Sequence, residues 1–336
     1  MKVIVDNKIP YIKGIIETLA DEVIYLPGKD FTPEVVHDAD ALIIRTRTRC
    51  NSDLLEGSKV KFIGTATIGY DHIDTTYCEK AGMTWSNCPG CNAGAVQQYI
   101  HSVLALFQAE KGIYLKNCCL GIIGVGHVGS KILELAEKLG ITVLLNDPPR
   151  ADRGETGFTD LNTIAKECDI ISFHTPLDKD SRYCTYHLAD KAFFNSLKKR
   201  PYIINTSRGE VIETEALLSA IDTGQISGAV IDVWENEPNI SNELLEKVFI
   251  GTPHIAGYSA DGKANATRMV LEAYCRYFDK PVTFQITLPE KPQREYSEDL
   301  VTRQLEIYNP RVDYDMLKAN IGDFEHLRGN YNLRRE

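Results

Sequence analysis

The chain has 336 residues, more than one hydrophobic core comfortably serves, so two main domains and an appendage are expected. Its hydrophobic share of 43% is ordinary, while a formal charge of −10 and a pI near 5.4 argue against nucleic acid and anionic membrane as partners, since both require a basic surface. No apolar run approaches the roughly 20 residues of a membrane span, the chain begins at once on the strand-like Val3-Ile-Val-Asp6, and nothing reads as a signal peptide, so a cytoplasmic protein is expected.

Lys2 to Asp6, Glu22 to Leu26, Ala41 to Arg45 and Lys61 to Ala66 read as strands with helical patterns between them. Such alternation means a parallel sheet covered on both faces. Arg45, Arg47 and Arg49 alternate where the third run ends; in an extended chain they would lie on one side, where they could meet a terminal phosphate. The plainer reading is an ion-pair cluster. Cys88 and Cys91 form C-x-x-C, but no second pair or paired His supports a metal, and Pro89-Gly90 between them reads as a turn. Nine scattered cysteines, an odd count that includes Cys118-Cys119, fit free thiols in a reducing compartment. Asn92 to Leu115 is an unusually long helical pattern, long enough to pass from one domain to another.

Next comes Cys119 to Leu133, a short buried strand, a glycine turn and the start of a helix, with Gly124, Gly126 and Gly129 in G-x-G-x-x-G and His127 and Val128 between the last two. The first glycine allows a sharp turn, the second a close backbone approach to a pyrophosphate, the third tight packing of helix on strand. The helix N-terminus offers N–H groups and a positive dipole end to phosphate. A second buried run, Ile141 to Asn146, ends on Asp147, roughly 20 residues downstream, where a carboxylate can accept the ribose hydroxyls and repel a 2′-phosphate. NAD is the expected cofactor, although Arg150 at the same corner could accommodate NADP.

Asp169 to Thr175, Tyr202 to Thr206, Gly228 to Val233 and Val248 to Gly251 complete one doubly wound sheet, and Ser259 to Phe278 is a second long helix able to return the chain to the first domain. The expectation is α/β with two doubly wound parallel-sheet domains: a discontinuous flavodoxin-like substrate domain (1–94 and 258–282), a Rossmann NAD domain (95–257), and a small C-terminal α+β appendage (283–336). After Pro281 prolines and charge dominate, only Thr283 to Leu288 is strand-like, and no cysteine follows Cys275. Such a stretch holds too little apolar surface for its own core, so it docks on its own chain or on a symmetry mate; a homodimer is expected.

Ligands in open α/β sheets bind beyond the carboxyl ends of the strands. Three polar residues stand there: Arg208 in Ile204-Asn-Thr-Ser-Arg-Gly209, Glu237 in Asp232-Val-Trp-Glu-Asn-Glu-Pro238, and His254 in Gly251-Thr-Pro-His-Ile-Ala-Gly257. An Arg fork suits a carboxylate, and a His with a carboxylate to orient it suits proton exchange with a hydroxyl. Singly they read as a surface ion-pair partner, a helix-terminal acid and a core histidine; together, at strand ends of one dinucleotide domain, they read as a site.

The sequence resembles the D-isomer-specific 2-hydroxyacid dehydrogenases over nearly its whole length, through Gly64-Thr-Ala-Thr-Ile-Gly69, Pro89-Gly-Cys-Asn-Ala93, Gly124-Val-Gly-His-Val-Gly129, Asp147-Pro-Pro-Arg-Ala-Asp-Arg-Gly154, Phe173-His-Thr-Pro-Leu177, Leu188-Ala-Asp190, Asp232-Val-Trp-Glu235 and Gly251-Thr-Pro-His-Ile-Ala-Gly-Tyr258. The resemblance implies a triad of Arg208, Glu237 and His254, with Thr46, Thr67 and Tyr258 at the substrate and Asp147, Thr175, Thr206, Ser207, Asp232 and Gly257 around NAD, beside the glycine turn. It implies hydride transfer from C2 of a small hydroxyacid, which Arg45 and Arg47 would mark as phosphorylated, and a homodimer formed through the C-terminal stretch. Two other readings stay open: a dehydrogenase for another hydroxyacid, such as glycerate or 3-phosphoglycerate, and an NAD-sensing co-repressor-like binding module.

Overall fold

The computed structural model describes every residue except Pro292. It divides into two compact units, Met1–Asn92 with Ser259–Pro292 and Arg335–Glu336, and Ala93–Tyr258 with Gln293–Arg334.

The first unit is built on five parallel strands, β1 (Lys2–Asp6), β2 (Glu22–Leu26), β3 (Ala41–Ile44), β4 (Phe62–Thr65) and β5 (Thr84–Ser86), in the flavodoxin-like order β2-β1-β3-β4-β5. The central β3 and β4 are buried end to end, which is why they read as unbroken apolar runs. Edge strand β5 is three partly exposed residues and carries no apolar run for a sequence reading to find. Helix Ala260–Tyr277 belongs wholly to this unit; Ser259 Oγ accepts the Gly262 N–H at 2.8 Å and caps it. Its Val270, Leu271 and Tyr274 join Phe62 in one core. A Cβ on Gly64 would stand 2.4 Å from Val270 Cγ2, so the close approach of helix to strand requires glycine.

One expectation fails here. β3 ends at Ile44, and the Thr48 N–H donates to Arg45 O at 3.2 Å, closing a turn over residues 45–48. Arg45, Arg47 and Arg49 therefore do not alternate along an extended chain.

The second unit holds six parallel strands, β6 (Cys119–Ile123), β7 (Thr142–Asn146), β8 (Ile170–Phe173), β9 (Tyr202–Asn205), β10 (Gly228–Ile231) and β11 (Ile250–Gly251), in the order β7-β6-β8-β9-β10-β11. A single parallel bridge between Leu145 and Phe158 stands where the familiar dinucleotide fold has a further outer strand. Helix Ala93–Lys111 lies wholly in this unit and buries Val96, Tyr99, Ile100, Val103 and Phe107 in its core. It stops at Lys111 rather than Leu115 because Gly112 turns left-handed, with φ of 65°.

The stretch beyond Pro281 is not a third body. Phe284, Ile286 and Leu288 are half-buried between exposed neighbours, so the chain is extended with one side down as the alternation predicts, but it pairs with no strand among the described residues. Helices Leu300–Ile307, Pro310–Ala319 and Phe324–Gly329 instead belong to the second unit, and Tyr308, Tyr314, Leu317 and Phe324 enter its core. Among the described residues no helix is long and apolar enough to cross a membrane.

Candidate active site

Strand register builds the site. Ile123 pairs with Phe173, Phe173 with Asn205, Asn205 with Ile231, and Ile231 with Gly251. The carboxyl ends of β6, β8, β9, β10 and β11 therefore finish level, and Gly124, Thr175, Thr206 to Arg208, Asp232 and His254 all follow along one edge of the sheet, flanking the point where the strand order reverses.

At the end of β6, Gly124 takes φ of 85°, and a Cβ there would stand 2.8 Å from the His174 backbone. A Cβ on Gly129 would meet Gly124 O at 2.1 Å, while Gly126 faces open space. Helix His127–Leu139 starts with no side-chain cap, His127 is exposed and Val128 half-buried, so its first N–H groups are left for a ligand. Asp147 accepts the Val125 N–H on Oδ2 at 2.9 Å and the Arg150 N–H on Oδ1 at 3.1 Å, locking the turn while each oxygen keeps a further lone pair. Arg150 is committed: Nη1 donates to Val125 O at 2.7 Å, Nε to Glu155 Oε2 at 2.8 Å, and the guanidinium lies over Phe158 at 5.0 Å. Thr175 Oγ1 is buried and has no partner, a polar atom awaiting a ligand beside the glycine turn. Open space at Gly126, an uncapped helix, an orphaned hydroxyl and a carboxylate with lone pairs to spare fit a dinucleotide. Below them His174 sits between Ser172 Oγ (2.8 Å) and Thr206 Oγ1 (3.3 Å), and its burial holds it at about 3, hence neutral, as scaffold.

Next along the edge, Asn205 Oδ1 accepts the Ser207 N–H at 3.0 Å and its Oγ–H at 2.8 Å, while Asn205 Nδ2 donates to Arg208 O at 2.9 Å, fixing the turn that presents Arg208. A Cβ on Gly209 would lie 2.0 Å from the Trp234 backbone, so this turn touches the next. That next turn carries two acids with different work. Glu235 accepts from the Thr214 N–H at 2.8 Å and meets His187 Nε2 at 2.7 Å, anchoring the turn outward. Glu237 accepts the Trp234 N–H on Oε1 at 3.0 Å and meets His254 Nδ1 through Oε2 at 2.8 Å. Burial would raise the Glu237 carboxyl, but the His254 charge and hydrogen bond, the Trp234 N–H and Arg328 outweigh it and hold it below the ordinary range.

His254 takes φ of 57° and donates its backbone N–H to Asp232 O at 2.8 Å. Asp232 is fully buried, and its carboxylate accepts Thr252 Oγ1 at 2.6 Å, the Ile255 N–H at 2.8 Å and the Ala256 N–H at 3.0 Å. It thus shapes the loop that aims His254. Gly257 lies in the following turn, closed by the Tyr258 N–H on Ile255 O at 2.9 Å. Arg208, Glu237, His254 and Tyr258 all belong to the second unit.

The remaining candidates belong to the first unit. Thr67 Oγ1 donates to Gly69 O at 2.8 Å and lies 2.7 Å from Thr65 Oγ1, which meets His72 Nε2 at 3.0 Å; burial holds His72 at about 4. Thr46 and Arg47 are exposed in the turn after β3. Arg45 Nε stands 3.3 Å from the fully buried Asp6 Oδ2, so it forms an ion pair inside its own unit. The two thiols of C-x-x-C are buried, and Cys88 Sγ–H is shared between Thr65 O and Ala266 O, a structural use. Among the described residues no group of three or more His, Cys, Asp or Glu is arranged to hold a metal.

Sequence reasoning did not single out His174, His72 or Arg328. The first carried a signal in Phe173-His-Thr-Pro-Leu177; Arg328 carried none, lying in a charge-dense stretch.

The family model for the D-isomer specific 2-hydroxyacid dehydrogenase NAD binding domain matches residues 96–256. A solved D-lactate dehydrogenase from Aquifex aeolicus, complexed with NAD and lactic acid, shares 24% identity and the fold, with a TM-score of 0.69 over 83% of this chain and 96% of that one. The NAD+-bound 3-phosphoglycerate dehydrogenase of Entamoeba histolytica shares 26% identity with a TM-score of 0.69 over 85% and 98%. Segments Pro89 to Ala93 and Asp147 to Gly154 carry a closer sequence resemblance, to 4-phosphoerythronate dehydrogenase. Curated relatives agree with it: erythronate-4-phosphate dehydrogenase of Bacteroides fragilis is 64% identical over 100% of this chain and 97% of its own length, and that of Escherichia coli 43% identical over 100% and 92%. The chain belongs to the D-isomer specific 2-hydroxyacid dehydrogenases and, within them, to the erythronate-4-phosphate dehydrogenase family.

Proposed function

We propose that this chain oxidises 4-phospho-D-erythronate with NAD to 3-hydroxy-2-oxo-4-phosphonooxybutanoate, the reaction its family performs in the making of pyridoxine 5′-phosphate. The observation that carries the mechanism is the 2.8 Å contact of His254 Nδ1 with Glu237, on the same sheet edge as the glycine turn. NAD, when bound, accepts the hydride released from C2. With Glu237 ionised, Nδ1 carries the proton and Nε2 is left as the base for the C2 hydroxyl proton. Glu237 then stabilises the imidazolium, and Arg208 holds the C1 carboxylate and the C2 oxygen. Gly124, Gly126, His127, Val128 and Gly129 would cradle the pyrophosphate, Asp147 the ribose, and Thr175, Thr206, Ser207, Asp232 and Gly257 the remainder of the dinucleotide. Thr46 and Thr67 of the first unit, with Tyr258, take the substrate contacts. Arg45 and Arg47 would hold the substrate phosphate, Arg45 also pairing with Asp6 inside its own unit.

The test is steady-state oxidation of a panel of phosphorylated and unphosphorylated hydroxyacids. The highest kcat/KM is expected for 4-phosphoerythronate. Preference for glycerate or 3-phosphoglycerate would overturn the substrate, and NAD binding without turnover of any hydroxyacid would favour a binding module.

The protein is also proposed to form a homodimer through its C-terminal helices, in the cytoplasm. Tyr308, Tyr314, Leu317 and Phe324 are used internally, but Leu300 (75% exposed), Val312 (57%) and Met316 (45%) remain outward, the last two one turn apart on helix Pro310–Ala319.

A further inference from the structure

Two arginines of the C-terminal stretch reach the loop that carries His254, within the second unit. Arg334 donates through Nη1 to Ile255 O at 3.2 Å, through Nη2 to Ala256 O at 2.5 Å and Ala95 O at 3.1 Å, and through Nε to Gln98 Oε1 at 2.8 Å. Its guanidinium lies over Tyr308 at 4.2 Å, a staple beneath the loop. Arg328 is placed differently. With a side chain 20% exposed, it sets Nη1 3.7 Å from Glu237 Oε2, the oxygen that also holds His254, and donates through Nε to Tyr258 Oη at 3.3 Å.

We propose that Arg328 is a positioning residue for the reaction: it fixes the Glu237 carboxylate and the Tyr258 hydroxyl, making the C-terminal stretch a working part of its own subunit's active site. The inference rests on the assignment of Glu237 and His254 as the acid–base pair. One carboxylate oxygen lies between an imidazole and a guanidinium, so Glu237 cannot swing toward either without leaving the other. When His254 takes the substrate proton, Arg328 is a second cation nearby, which eases return of that proton to solvent and opposes premature protonation of the pair. Among the described residues the groups around the pair include Arg328 and Glu325 from helix Phe324–Gly329 (3.8 Å apart), Tyr258 with the Tyr331 ring 6.1 Å from its own, the Trp234 N–H, Asp232 and the Arg334 guanidinium beneath the loop, and Arg208 on the neighbouring turn. Arg328 brings its fixed positive charge to within 3.7 Å of Glu237 Oε2.

The experiment compares full-length wild type, R328Q and R328K in NAD-dependent oxidation of 4-phosphoerythronate, with NAD affinity measured by fluorescence and kcat followed against pH. R328Q is expected to lower kcat about tenfold with little change in NAD affinity, and to move the acidic limb of kcat upward by about half a pH unit, the order one charge removed from a half-buried cluster commands. R328K is expected to keep the limb in place and recover part of kcat, since it restores charge but not the fork. An R328Q enzyme within about twofold of wild type and with an unmoved limb would overturn the proposal. Parallel loss of NAD affinity in both variants would assign Arg328 to folding and overturn it equally. Absence of turnover in the wild type, by contrast, would strike the proposed reaction itself.

Discussion

Glu237→Gln is the sharpest test of the acid–base pair, because the structure dictates how glutamine must sit. The Trp234 N–H points at Oε1 from 3.0 Å and can only donate, so the glutamine carbonyl must take that place. Its amide then faces His254 Nδ1, 2.8 Å away in the wild type, as a donor. His254 must answer with a bare Nδ1 and a proton on Nε2, the tautomer unable to accept a proton from the substrate. Loss of the charge-assisted hydrogen bond alone is worth about 1.5–3 kcal/mol, which at about 1.4 kcal/mol per decade is about tenfold to 10²-fold. With the tautomer also wrong, kcat should fall by about 10²–10⁴-fold, the full worth of a general base. The substitution is isosteric and 18% exposed at its side chain, so NAD affinity should change little. NADH formation from 4-phosphoerythronate reads kcat. An E237Q enzyme that keeps more than about a tenth of wild-type kcat with NAD affinity intact would refute the role given to Glu237.

Asp147 should impose NAD over NADP, and since Arg150 is tied to Glu155 and Val125 O, replacing Arg150 should not change that preference; equal kcat/KM for the two cofactors would refute the assignment. Gly209→Ala places a Cβ 2.0 Å from the Trp234 backbone, a clash that should cost about 1–3 kcal/mol in a thermal melt and, by shifting Arg208 against Glu237, about 10²-fold in kcat. The pH dependence follows from Glu237, whose folded value lies below the ordinary one. Its contribution to stability is complete above about 4.3, the ordinary glutamate value, and is lost as pH falls through the lower folded value, so the stability difference between wild type and E237Q should be flat through neutral pH and shrink only in acid. If the proposed dimer forms, Met316→Asp should convert it to a monomer in light scattering; a wild type already monomeric at micromolar concentration would refute the proposed assembly.

Much was legible in the sequence because it is encoded locally. Buried parallel strands are continuous apolar runs, so β6, β8, β9 and β10 announced themselves, and a glycine that must take φ of 85° or accept a backbone at 2.1 Å leaves a mark no other residue can make. Knowing that ligands lie at strand carboxyl ends then pointed to Arg208, Glu237 and His254. Only tertiary structure could decide where side chains turn once regular structure stops. The alternation of Arg45, Arg47 and Arg49 was real in the sequence, yet a hydrogen-bonded turn and the buried charge of Asp6, 39 positions earlier, redirected it. Asp232 was expected at the cofactor on the strength of resemblance, whereas its use as the buried acceptor that shapes the His254 loop was not legible, because the three donors from that loop converge on it only in the folded chain. The C-terminal stretch is the fullest case: its apolar residues were countable, but whether they covered a partner or their own chain, and whether Arg328 would meet Glu237 some 90 positions away, depends on packing between segments that no local pattern records.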